Sequence, residues 1–204
     1  MNQINYALLS IALATTPSSI DCAKELPATR TTFNNLKITS TAALTSKGLF
    51  KNISGKLVLK FKNSKDFTFR DFVDSDDETA IRTHDYLGFS PVLDRFVVQL
   101  KYYERSEILL ISKSCEVDTL WEIPYVSADG KMAVALSRGV EYEVYNNGFQ
   151  IFGIGPKGLF KVCEKKIIGY EPIALRWSGN KSFVLKAINP LAKTKIAVYK
   201  RYSL

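Results

Sequence analysis

Tyr125-Val126-Ser127-Ala128-Asp129-Gly130-Lys131-Met132-Ala133-Val134-Ala135-Leu136 joins a turn signal to an apolar run. Asp129-Gly130 carries turn chemistry: glycine adopts positive φ without steric cost, and aspartate bonds backbone two residues ahead. The apolar run that follows is short and bounded by polar residues, which is the pattern of a buried strand. Turn and strand together predict a β-hairpin.

Outward from this hairpin the same grammar recurs. Upstream, Leu57-Val58-Leu59-Lys60-Phe61, then Phe67 and Phe69, then 94–103, 107–112 and 117–123 read as strands. Downstream come 141–145, an Asn146-Asn147-Gly148 turn, and 149–154, 159–163, 173–177, 182–188 and 195–199. Short strands at such spacing predict an all-β fold of antiparallel sheets. With 12 Phe, 10 Tyr and 2 Trp, the composition suits strands. Residues 15–50, rich in Thr, Ser, Ala and Asn with Pro17 and Pro27, read as a poorly regular N-terminal segment. Helix is expected only in the N-terminal stretch and over Ala42 to Phe50. At 204 residues the chain accommodates one domain, residues 24–204, behind a segment 1–23.

Three stretches repeat weakly: Phe89-Ser90-Pro91-Val92-Leu93-Asp94-Arg95-Phe96-Val97-Val98, the opening stretch from Tyr125 to Val134, and Ala174-Leu175-Arg176-Trp177-Ser178-Gly179-Asn180-Lys181-Ser182-Phe183-Val184. Each has an apolar or aromatic entry, a serine near a polar turn, and an apolar strand. Residues 85–190 thereby resemble β-propeller blade repeats, and Ser127-Ala128-Asp129-Gly130-Lys131 resembles their inter-strand turn. The resemblance implies a scaffold rather than a chemistry. A closed propeller needs at least four blades, so an incomplete propeller-like stack, a β-sandwich, or closure through oligomerisation is expected.

The net charge is +8, and it is uneven. Lys24, Arg30, Lys37, Lys47, Lys51, Lys56, Lys60, Lys62, Lys65 and Arg70 face only Glu25 and Asp66, and no acid lies beyond Gly179. Such flanks attract nucleic acid or anionic surfaces. Spaced along strands, however, lysines are also what solvated faces and protected sheet edges show, and that reading is preferred. Lys60-Phe61-Lys62 and Tyr199-Lys200-Arg201-Tyr202 fit the alternation of half-buried strands equally well.

No apolar run reaches transmembrane length. Residues 6–14 with Ala12-Leu13-Ala14 form a candidate signal peptide cleaved at Ala14, although Met1–Asn5 lacks a basic residue. The protein is therefore either exported or cytoplasmic. Asp21 before Cys22 fits a lipoprotein signal poorly. Cys115 and Cys163 would pair in an oxidising compartment or stay as separate buried thiols. No metal cluster is expected from three cysteines without a Cys-x-x-Cys pair and a single histidine.

Candidate chemistry is sparse. His84 beside Asp85, near the acidic segment Asp71 to Glu78, is the sole basis for hydrolase chemistry. Asp74, Asp76, Glu78 and Asp85 match alternate positions of a calcium loop, but Thr79 stands where its turn needs glycine. A solvated acidic turn is the simpler account. Gly153-Ile154-Gly155-Pro156-Lys157-Gly158 lacks phosphate-loop spacing and reads as a hairpin. Trp121 and Trp177 are assigned to the core. No catalytic, cofactor or metal residue is therefore expected. The function expected is a non-enzymatic binding or scaffold protein with a protein partner. The alternatives are a hydrolase built on His84 and a basic-surface binder of nucleic acid or anionic surfaces.

Overall fold

The computed structural model describes residues 23–45, 49–52, 55–61, 65–74, 76–139, 147–156 and 158–204. The first elements are β1 (Lys24–Pro27) and α1 (Arg30–Asn35). The first sheet follows as β2 (Leu49–Asn52), β3 (Lys56–Lys60) and β4 (Phe67–Arg70). The second comprises β5 (Arg82–Ser90), β6 (Arg95–Tyr102), β7 (Ser106–Ile111) and β8 (Val117–Leu120). The third comprises β9 (Tyr125–Val126), β10 (Met132–Ser137), β11 (Gly148–Gly155) and β12 (Gly158–Lys166). The fourth comprises β13 (Glu171–Gly179), β14 (Ser182–Ile188) and β15 (Ala197–Ser203), with β1 added beside β15. All pairings between these strands are antiparallel. The fold is all-β, as the strand pattern predicts.

Each sheet packs on the next in chain order, and the three interfaces are the core. Leu57 and Leu59 meet Phe96, Val98, Leu109 and Ile111 between the first and second sheets. Val97, Ile108, Leu110 and Leu120 meet Ala133, Ala135 and Phe152 between the second and third. Val134, Leu136, Phe149 and Ile151 meet Leu175, Trp177, Phe183, Leu185 and Tyr202 between the third and fourth. Strand periodicity explains why inner sheets have apolar side chains on both faces: Val97 and Val98 point opposite ways, and each is buried by a different neighbour. Full burial of a Leu or Ile such as Leu110 or Ile151 contributes roughly 1.5–3 kcal/mol.

The N-terminal segment is more ordered than its composition suggests. Thr29 caps α1 by accepting from the Thr32 backbone N–H at 3.0 Å. At the other helix end, Arg176 Nη1 donates to the carbonyls of Phe33 (3.0 Å), Asn34 (3.2 Å) and Leu36 (3.1 Å). Its guanidinium also lies 4.4 Å from the Phe33 ring centroid. The chain then runs extended across the stack. The Trp177 N–H donates to Thr39 Oγ1, the Ala42 N–H to the Pro124 carbonyl, and the Thr45 N–H to the Phe89 carbonyl. Residues 39–45 thus touch the fourth, third and second sheets in turn.

Helix was expected over Ala42 to Phe50, and the structure replaces it. Thr41 and Thr45 form bridges to Tyr125 and Phe89, and 49–52 is β2. Burial of Ala42 at the second interface favours the extended form over its local helical propensity. Strand β5 went unread because His84, Asp85 and Gly88 interrupt its apolar pattern. The strand expected at 141–145 lies outside the described residues, as does the candidate signal segment through Cys22.

Neither reading of the cysteines survives. Cys163 is disulfide-bonded, whereas Cys115 is a free thiol, so they are neither a pair nor two thiols. Cys115 occupies the β7–β8 turn at a φ of 67°, while Cys163 is on β12 against the third interface.

Candidate functional site

Between the second and third sheets, where β8 gives way to β9, lies a cleft of about 390 Å³. It forms because Pro124 interrupts the strand pattern: β8 ends at the fully buried Leu120, and pairing resumes at Tyr125. The intervening Trp121-Glu122-Ile123 lines one side. The Trp121 backbone N–H donates to Gln150 Oε1 at 3.0 Å, and the buried Gln150 side chain donates to Glu164 Oε2 at 3.2 Å. Leu136, Ser137 and Arg138, at the end of β10, line the opposite side. Thr41 of the crossing segment and Ser106 of β7 complete the lining.

Electrostatics couples three of these groups. Burial pushes the Glu122 carboxyl above its ordinary value; the Arg138 charge and the Ile123 N–H pull it partly back. Burial also raises the Tyr125 phenol, opposed by Arg138 and reinforced by Glu122. Arg138 Nη2 donates to the Ile173 carbonyl at 3.4 Å, which orients the guanidinium from the fourth sheet. The lining offers a carboxyl, a guanidinium, a phenol, an indole and three aliphatic hydroxyls. These groups can hold a polar ligand through hydrogen bonds and ring contacts.

A second cavity, about 570 Å³, lies between residues 35–40 and the β13–β14 turn, with Val126 and Trp177 in its lining. Among the described residues, Trp177 Nε1 is buried without an acceptor. Trp177 otherwise belongs to the core, as its sequence suggests. Trp121 does not: it is half-buried and faces the cleft.

The residues singled out for chemistry fall elsewhere. His84 is buried, its ring stacked on Phe69 at 4.8 Å and its Nδ1 2.9 Å from Asp71 Oδ1. Its backbone N–H donates to the same carboxylate oxygen at 2.9 Å. Asp85, next along the strand, points to the other face and pairs with Lys101. His84 and Asp85 are therefore not brought together, and His84 lines neither cavity described above.

The acidic segment folds on its own backbone. Asp74 accepts from the Asp76 N–H at 2.9 Å, and Asp77 caps the 3₁₀ turn Glu78–Ala80. Among the described residues, no group of three or more His, Cys, Asp or Glu side chains could hold a metal ion. The glycine-rich stretch is the β11–β12 hairpin, with Gly155 opposite Gly158.

Among the basic stretches, Tyr202 is in the core, Lys200 pairs with Glu25 at 2.7 Å, and Tyr199 meets Phe33 at 5.6 Å. Lys56, Lys60 and Arg70 lie exposed on the outer face of the first sheet. Among the described residues no helix is long and apolar enough to cross a membrane. Sequence reading missed Glu122, Tyr125 and Arg138; the available signal was a Trp-Glu-x-Pro-Tyr break between strands. Compared with family models, curated proteins and solved structures, the chain matches none.

Proposed function

We propose that this chain is a non-enzymatic binding or scaffold protein that takes a protein partner through the cleft between its second and third sheets. One observation carries the reading. The cleft gathers Trp121, Tyr125, Glu122 and Arg138 around one opening, and aromatic rings with arginine are the residue types that dominate binding energy. Around them the sheets are packed through buried apolar cores, which preorganises the lining. The sheet stack supports a blade-like reading of the repeat. Its three repeated stretches each fall on the first hairpin of a sheet: β5–β6, β9–β10 and β13–β14.

Export is part of the proposal, because a disulfide at Cys163 suits an oxidising compartment. The test immobilises the oxidised full chain, Trp121→Ala and Glu122→Gln, and identifies captured proteins by mass spectrometry. A partner held by the wild type and lost from both variants supports the reading. A captured set unchanged by either substitution overturns it, as does substrate turnover by the purified protein without a partner.

A further inference from the structure

We infer that the group held in the cleft is a neutral, polyhydroxylated one, a sugar unit carried by the partner; this rests on the cleft being the binding site proposed above. Five features of the cleft converge on it. Trp121 and Tyr125 contribute aromatic rings to the lining, and the face of such a ring carries the negative end of its quadrupole. The C–H face of a pyranose presents the complementary partial positive charge. Glu122 and Arg138 bring one acid and one base, so neither an anion nor a cation finds an unopposed charge.

The same pair suits vicinal hydroxyls, since a carboxylate accepts two hydrogen bonds and a guanidinium donates through a fixed fork. Burial raises the Glu122 carboxyl, and protonation would add a donor. Thr41, Ser106 and Ser137 add hydroxyls that donate and accept. The volume of about 390 Å³ lies at the small end of ligand pockets and fits one or two rings rather than a length of folded chain. Apolar lining from Ile123 and Leu136 is limited, which disfavours a greasy side chain as the occupant.

The test titrates the oxidised full chain with glucose, galactose, mannose, N-acetylglucosamine, N-acetylgalactosamine and their β-linked disaccharides, by calorimetry. Saturable binding of at least one is expected. Trp121→Ala and Glu122→Gln should each weaken it about tenfold, the loss expected of one ring contact or one charge-assisted hydrogen bond. Ile196→Ala, at an exposed site outside the cleft, should leave it unchanged. Glu122→Gln is nearly isosteric and keeps the test valid where Trp121→Ala fails to fold. No saturable binding across the panel overturns the inference, as does binding indifferent to the cleft variants. Partner capture repeated after enzymatic deglycosylation separates the two proposals. Cleft-dependent capture that survives deglycosylation overturns the sugar alone; capture that ignores the cleft variants overturns the binding reading beneath it.

Discussion

Gly158→Ala should destabilise the protein by about 2–4 kcal/mol, through a contact between the second and third sheets. Arg95 begins β6 and is buried at 7% exposure. Its Nε lies 3.8 Å from Asp118 Oδ2, and its Nη1 donates to the Asp94 carbonyl at 3.1 Å. The guanidinium occupies the space that a side chain at position 158 would need. A Cβ there would run into Arg95 Nη2. Gly158 also has a φ of +114°, which costs an L-residue roughly 1–2 kcal/mol.

Displacing the guanidinium loses its carbonyl bond and weakens its approach to Asp118. Asp118 is one third exposed, so solvent limits that loss to roughly 1–2 kcal/mol. For a chain of this size, about 3 kcal/mol lowers Tm by roughly 6–12 °C. The assay is urea denaturation of wild type, Gly158→Ala, Arg95→Met and the double variant. With the guanidinium gone, Gly158→Ala should cost only its backbone strain, giving a coupling of about 1–2 kcal/mol. Equal costs in both backgrounds, within about 0.5 kcal/mol, would refute the clash.

Three further outcomes are expected. His84→Ala should lower stability by about 2–3 kcal/mol in urea, because it removes the ring from Phe69 and takes a partner from Asp71; unchanged stability with lost partner capture would contradict a structural role. Glu122 is held above 4.5 by burial, so its stabilising contribution is complete below pH 4.5 and is lost as pH rises through the folded value. Glu122→Gln should therefore melt above wild type at pH 7 with the gap closing below pH 4.5, and a pH-independent gap would count against it. Peptide mapping without reduction should return Cys163 in a disulfide-linked peptide and Cys115 freely alkylated; alkylation of Cys163 under those conditions would be the contrary result.

Strand identity was legible where local chemistry and tertiary packing agree. Leu57 and Leu59 alternate with outward Lys56 and Lys60, and Asp129-Gly130 marks its hairpin without ambiguity. Strand β5 was obscured because its interior histidine is satisfied by Asp71, a partner 13 residues away that no periodicity reveals. Strand β1 was obscured because its pairing residues lie at the far end of the chain. The cleft was the least legible part. Trp121 and Tyr125 look like core residues in any local window, and Arg138 joins them only because β10 runs beside β9. Glu122 acquires its character from burial, a property of the assembled sheets rather than of its neighbours in sequence.

The pairing of Lys24 with Ser203 has a consequence for the order of events on the ribosome. The first three sheets are meanders of neighbouring strands and can form as they emerge. Strand β1 emerges before all of them, yet among the described residues the strand it pairs with is β15. α1 likewise waits, since it packs on β14 and β15. Nearly the full described length must be spanned before this last pairing closes, and such long-range contacts form slowly. The nascent chain therefore carries an unsatisfied strand edge until β15 emerges. That exposes it to chaperones and mispairing.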